Sequence, residues 1–116
     1  MDFWERLDSL ISSGEIVIDR HPGSSHPNFP EIVYPLGYGY LKGFSGGDGN
    51  ELDVWQGSLP ERKLIGIACT VDIMKNDAEV KLLIGCTEEE IHIIEKFHNN
   101  RYMSCVIIRR DGFSRR

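Results

Sequence analysis

The sequence lacks a long hydrophobic run and a surplus of positive charge. No apolar stretch approaches the roughly 20 residues that a membrane-spanning helix needs, and "MDFWERLDSL" lacks the basic start and apolar core of a secretion signal. With 18 acidic and 13 basic residues, the net charge of −5 does not match the basic surfaces that bind nucleic acids or anionic membranes. We therefore predict a cytoplasmic protein with neither nucleic acid nor a membrane as its partner.

Cysteines are few, odd in number and not arranged in a C-x-x-C motif. Cys69, Cys86 and Cys105 each lie beside apolar residues, which favours buried reduced thiols in a cytosolic protein. A chain of 116 residues, 41% of them hydrophobic, can form one modest core. We predict a single domain over residues 1–116.

The hydrophobic periodicity predicts helices near both ends of a run of short strands. A Thr87/Glu90 capping box marks the start of the second helix, which the pattern continues to about His98. The first helix is expected over 3–12, and the strands over 15–19, 32–42, 51–56, 63–73, 78–85 and 102–110. This order predicts an α+β domain whose five- to six-stranded OB-like sheet either curls or closes into a small barrel.

Acidic and amide side chains crowd a glycine-rich stretch between two predicted strands. Asp48, Asn50 and Asp53 can face one point across the turn, and their hard oxygen atoms suit Mg²⁺, Mn²⁺ or Ca²⁺ better than zinc. The alternative is a polar hairpin turn without a ligand, because Asp-Gly is a common turn pair.

A second polar pair lies on the strand predicted at 78–85. Glu79 and Lys81 are two residues apart and so share one face of that strand, as does Asp77 if the strand begins early. A carboxylate and a cation side by side suit a metal next to a phosphate. The alternative is a solvated strand face with a weak ion pair.

The stretch "YPLGYGYLKGFSGGDGNELDVW", residues 34–55, resembles the signature of the soluble family I inorganic pyrophosphatases. That signature has the form Y-P-x-N-Y-G-Y/F, a spacer, and D-G-D-P-L/V-D-V. The segments "VID", "GIACTVD", "AEVKLL" and "IIEKFH" follow the family order along a chain that is shorter than the typical member. The resemblance implies an OB-like barrel with flanking helices.

The resemblance also implies a role for individual residues. Tyr38 matches a tyrosine that forms hydrogen bonds within the family's active site, and Lys81 matches a lysine that binds phosphate. The carboxylates implied to bind the divalent metal, Mg²⁺ or alternatively Mn²⁺, are Asp48, Asp53, Asp72 and Glu79. Whether Asp77 or Glu79 is the third metal carboxylate stays open at this point.

Several residues depart from the family pattern. Asn50 replaces the motif's middle aspartate, which is thought to help activate the attacking water, and Glu51 replaces its proline. Phe97 and His98 stand where the family has a tyrosine and a lysine, so His98 becomes a candidate substrate ligand. The early basic ligands are replaced by "RHPGSSHPNFP", in which Arg20 is the candidate to contact substrate, with His21 and His26 as further candidates.

The resemblance implies Mg²⁺- or Mn²⁺-dependent hydrolysis of inorganic pyrophosphate, or of a related P–O–P compound, by an activated water. Asn50, Tyr38 and Lys81 are the expected catalytic residues. The alternative is a catalytically weakened relative that binds a metal-phosphate or metal-nucleotide ligand without turnover. A plain OB-like interaction domain is a third hypothesis. Because family members form homo-oligomers, a homo-oligomer is also considered.

Overall fold

Both helices begin at a capping box. The computed structural model describes residues 1–47 and 49–110. Helix α1 spans Phe3–Ser13, and Asp2 and Glu5 each accept the other's backbone N–H at its start. Helix α2 spans Glu88–Phe97, where Thr87 and Glu90 form the predicted reciprocal pair. None of the described helices is long and apolar enough to cross a membrane.

Among the described residues, six strands form one curled, mixed sheet, so the α+β prediction is confirmed. The strands are β1 Glu15–Arg20, β2 Gly37–Ser45, β3 Glu51–Gln56, β4 Leu64–Asp72, β5 Asp77–Ile84 and β6 Met103–Arg109. They lie in the order β1-β2-β3-β5-β4-β6, with β3 and β5 parallel and the other neighbours antiparallel. Within the described residues β1 and β6 do not pair with each other, so the sheet is open and does not close into a barrel.

The strand predicted at 32–42 begins only at Gly37. Residues 32–34 bond back to their own loop, where Tyr34 exchanges backbone hydrogen bonds with Gly23 and Ser24, and Val33 forms an isolated bridge with Ser25. Pro30 and Pro35, which flank this segment, have no N–H to donate to a ladder. Gly39 lets β1 approach closely, because a Cβ there would lie 1.8 Å from the Val17 carbonyl oxygen.

Each face of the sheet has its own core. On one face, α1 packs its Trp4, Leu7 and Ile11 against Leu41, Val54, Leu64, Ile67, Leu82 and Ile84. On the other, α2 packs its Ile91 and Ile94 against Trp55, Ile65, Ala68, Leu83 and Cys105. We call these the α1 face and the α2 face. Strand residues alternate between them, as the pleat requires.

Side chains bind part of the exposed backbone of edge strand β6. The Asn99 amide bonds both the N–H and the carbonyl of Cys105, and Asn100 does the same for Met103 with its side chain and backbone. Next to this edge, Arg109 and Arg110 form ion pairs with Glu88 and Asp8. Residues 111–116 lie outside the described residues.

Candidate functional site

Strand register brings four predicted site residues to one place on the α2 face. Tyr38 on β2 lies opposite Trp55 on β3, and Asp53 on β3 lies opposite Lys81 on β5. Glu79 is two residues before Lys81 and so shares its face. These side chains, Tyr38, Asp53, Glu79 and Lys81, are called the polar cluster below.

The Lys81 ammonium is the centre of the polar cluster. Its Nζ donates to Asp53 Oδ2 at 2.7 Å, to Glu79 Oε1 at 2.8 Å and to the Tyr38 hydroxyl at 2.8 Å. The Tyr38 hydroxyl in turn donates to Asp53 Oδ2 at 2.6 Å. An ammonium has three N–H donors, so these three oxygens use all of them.

Lys81 is buried, whereas its two carboxylate partners reach solvent. The lysine is 4% exposed, and the side chains of Asp53 and Glu79 are 28% and 29% exposed. The alternative of a solvated strand face is therefore wrong for Lys81. Burial opposes its charge, but the interactions with Tyr38, Asp53 and Glu79 outweigh burial and raise the pKa of Lys81. The ammonium remains charged at neutral pH.

Tyr38 keeps its proton in this arrangement. Burial, assisted by the Asp53 carboxylate, raises the pKa of the Tyr38 phenol well above its usual value, although Lys81 acts in the opposite direction. The hydroxyl therefore acts as a donor to Asp53 and an acceptor from Lys81. It positions both charged groups and, because it keeps its proton, does not act as a general base at neutral pH.

Asp72 lies on the α2 face but away from the polar cluster. Ala68 is the β4 residue opposite Lys81, and Asp72 is four residues further along, roughly 13 Å at the usual rise of a strand. Its Oδ1 accepts from the N–H groups of Met74 and Lys75 and so stabilises the β4–β5 turn. Asp77 pairs with Asp72 in register and so lies at the same distant end of the strands. Glu79 bonds Lys81 directly, so it is the carboxylate that joins Asp53 there.

Arg20 lies beside the polar cluster without joining it in the described contacts. It pairs with Tyr38 in register, and its Nη1 lies 3.3 Å from the carbonyl oxygen and 3.5 Å from Oδ2 of Asp19. Its Nε is buried and has no hydrogen-bond partner among the described residues. The following loop, with His21 and His26, folds back on itself, and the His26 ring packs against Phe29 and Tyr34.

The glycine-rich turn leads directly into the strand that carries Asp53. The Gly46 N–H donates to the carbonyl of Asn50, and β3 begins at the next residue. Asp48, predicted to bind metal, lies outside the described residues. Within the described part, no group of three or more His, Cys, Asp and Glu side chains is arranged to hold a metal ion.

His98 ends α2 as a buried residue, 4% exposed. The indole Nε1 of Trp55 donates to His98 Nε2 at 2.9 Å, which leaves the proton of the neutral ring on Nδ1, 3.2 Å from the Met103 sulfur. Burial, assisted by Lys81, lowers the pKa of His98 to about 3. His98, a predicted substrate ligand, is therefore neutral and internally bonded in this structure.

The buried neutral His98 predicts a pH-dependent stability. Its folded pKa of about 3 lies below the usual 6.5, so its contribution is complete above pH 6.5 and is lost as the pH falls from 6.5 towards 3. Between pH 7 and pH 5, protonation of His98 in the unfolded chain should lower the free energy of unfolding by about 2 kcal/mol. In His98→Gln, whose amide can still accept from Trp55, the free energy of unfolding should fall by that much less over the same range. Urea unfolding at both pH values measures this.

The control is His92→Gln, because the His92 side chain on the same helix is 65% exposed. This variant should keep the pH dependence of the unmodified chain. If His98→Gln loses as much stability between pH 7 and pH 5 as the unmodified chain, His98 is not the source of the pH dependence.

Cys86 and Cys105 offer no nucleophile to the polar cluster. All three cysteines are free, and Cys86 and Cys105 are buried as predicted, whereas Cys69 is only half-buried. Burial raises the pKa of Cys86 to about 12 and that of Cys105 to about 11, so both remain protonated thiols at neutral pH.

A groove of about 390 Å³ lies on the opposite side of the sheet from the ammonium of Lys81. Its apolar side chains belong to the α1 face and are Leu52, Cys69, Val71, Val80 and Val106. Asp53 and Glu79 border this groove, but their carboxylates meet Lys81 on the α2 face. The groove and the polar cluster therefore share the strand segments that carry Asp53 and Glu79.

The sequence-based hypothesis missed the aromatic support of the polar cluster. Tyr38 stacks on Tyr34 and meets Trp55 edge to face, with ring centroids 5.3 and 4.6 Å apart. Trp55 also contacts Phe97 and His98. Its spacing of two residues from Asp53 would have predicted a shared strand face, but no local signal identifies its partners on α2.

No model of a known protein family matches the chain, and no curated protein matches it significantly. The relationship to inorganic pyrophosphatases therefore depends on the motif residues and their spacing, and it stays a hypothesis.

Proposed function

We propose that the chain is a divalent-metal-dependent hydrolase of inorganic pyrophosphate or a related P–O–P compound. The observation that carries this proposal is the meeting of four residues from two separate motifs at hydrogen-bond distances. Tyr38 and Asp53 belong to the glycine-rich signature, and Glu79 and Lys81 belong to strand β5. Asp53 and Lys81 are 28 residues apart in the sequence. The resemblance assigns all four to one active site.

The polar cluster suits a hard divalent cation in its chemistry. Asp53 Oδ2 and Glu79 Oε1 both lie within 2.8 Å of one nitrogen, so they are close enough to share a positive ion, and carboxylate oxygens are preferred ligands of Mg²⁺ and Mn²⁺. The resemblance also assigns Asp48 to the metal, and its carboxylate would be a third ligand. The bound cation would neutralise phosphate charge and lower the pKa of a water.

Lys81 and Tyr38 of the polar cluster, together with Asn50, would have separate roles in the reaction. Lys81 would donate to a phosphoryl oxygen and stabilise the negative charge that develops there. Tyr38 would hold Asp53 and Lys81 in place through its hydroxyl. Asn50 would orient the attacking water but cannot accept its proton, since a carboxamide is not a base at neutral pH. Loss of a general base typically costs ~10²–10⁴-fold in rate.

The second candidate function is binding of a metal-phosphate or metal-nucleotide ligand without turnover. Two observations favour it. Asn50 occupies the position of the presumed base, and His98, at the position of a family lysine, is a buried neutral ring and supplies no cation. Both functions use the polar cluster, and they differ only in whether phosphate is released.

Calorimetric titration with imidodiphosphate, a pyrophosphate analogue with a P–N–P link, tests the shared part of the proposal. We expect binding in the presence of Mg²⁺ and loss of binding with EDTA, and loss of binding in Asp53→Asn. Binding of equal strength with and without Mg²⁺, or no binding at millimolar analogue, would reject the proposed site. Phosphate release from pyrophosphate then separates the enzyme from the binding protein.

A further inference from the structure

The polar cluster already contains a positive ion, supplied by the chain itself. Lys81 Nζ lies between Asp53 Oδ2 and Glu79 Oε1, and the Tyr38 hydroxyl accepts its third N–H. The ammonium is therefore surrounded by three oxygens, an arrangement that resembles a ligated cation. It lies between the two carboxylates to which the proposed function assigns the metal.

We propose that the Lys81 ammonium occupies the cation position of this site, so that a divalent cation and the ammonium exclude each other at Asp53 and Glu79. This inference rests on the proposed function. Two positive charges between the same carboxylates would lie only a few ångströms apart and repel strongly. The side chain is 5% exposed, so bulk water screens this repulsion little.

The exclusion sets an order of events at the polar cluster. In the structure all three N–H donors of Lys81 are used by Tyr38, Asp53 and Glu79, so none is left for a phosphate oxygen. A cation that takes the two carboxylates releases two of these donors. Lys81 then becomes a phosphate ligand only after the metal has bound, and phosphate binding is coupled to metal binding.

The test measures Mn²⁺ affinity by calorimetry in the absence of phosphate. Lys81→Met keeps an unbranched apolar side chain in the buried site but removes the competing charge, and it should bind Mn²⁺ about tenfold more tightly than the unmodified chain. The matched control is Lys63→Met, because the Lys63 side chain is 73% exposed and pairs with the exposed Glu61. This control should change Mn²⁺ affinity less than twofold.

The possible outcomes separate this inference from the proposed function. If Lys81→Met binds Mn²⁺ no more tightly than the unmodified chain, the exclusion is refuted while the metal site stands. If neither protein binds Mn²⁺ at millimolar concentration, both the exclusion and the proposed metal site fail.

A second measurement uses the unmodified chain and so does not depend on the folding of a variant. With ¹⁵N-labelled lysine, the Lys81 ammonium should give a signal protected by its hydrogen bonds, and saturating Mg²⁺ should shift it and speed its exchange with water. An unchanged Lys81 signal at saturating Mg²⁺ would overturn the proposal.

Discussion

Asp53→Asn is expected to weaken Mn²⁺ binding by on the order of 10²-fold and to abolish phosphate release from pyrophosphate. A neutral amide keeps one oxygen ligand but loses the negative charge that attracts the cation. The substitution also removes the closest carboxylate from Lys81, at 2.7 Å, so the ammonium retains Glu79 as its only carboxylate partner in the polar cluster. Calorimetry with Mn²⁺ and a phosphate assay measure the two effects.

The control for Asp53→Asn is Glu61→Gln, which removes one negative charge from a side chain that is 74% exposed. This variant should keep the Mn²⁺ affinity and the activity of the unmodified chain. If Asp53→Asn folds, as judged by circular dichroism, and binds Mn²⁺ with undiminished affinity, Asp53 is not a metal ligand.

Asn50→Asp is expected to raise the rate of pyrophosphate hydrolysis by ~10²-fold. A carboxylate at this position could take the proton of the attacking water, which the amide of Asn50 cannot do. The added negative charge also repels a substrate that is itself an anion, and this repulsion limits the gain. Initial rates of phosphate release at saturating Mg²⁺ give the comparison.

The control for Asn50→Asp is Asn50→Ser, which keeps a polar side chain but supplies no base. It should not exceed the rate of the unmodified chain. If Asn50→Asp folds and binds Mn²⁺ but releases no phosphate, binding without turnover becomes the better function. Rapid phosphate release by the unmodified chain would mean that Asn50 does not mark a lost base and that another group accepts the proton.

Local patterns predicted the elements that carry the polar cluster. The spacing of Glu79 and Lys81 predicted a shared strand face, and the two side chains meet at 2.8 Å. The Thr87/Glu90 spacing predicted the start of α2. Such features are accessible from sequence because a capping box and the alternation of a strand involve residues only a few positions apart.

Contacts between distant segments could not be predicted in the same way. His98 and Trp55 are 43 residues apart, and their hydrogen bond exists only because α2 packs over β3. The burial of Lys81 likewise follows from how β5 lies between β3 and β4. Asp72 has a carboxylate that could bind a metal, but its role in the β4–β5 turn depends on the N–H groups of the residues that follow it.

We expect the polar cluster to bind a divalent metal and to hydrolyse a P–O–P bond. The most direct measurement is phosphate release from pyrophosphate by the unmodified chain with Mg²⁺ or Mn²⁺, with EDTA and with Asp53→Asn as parallel controls. We expect phosphate release that requires the metal, stops with EDTA and is absent in Asp53→Asn. Phosphate release that continues in EDTA, or that Asp53→Asn retains in full, would contradict it.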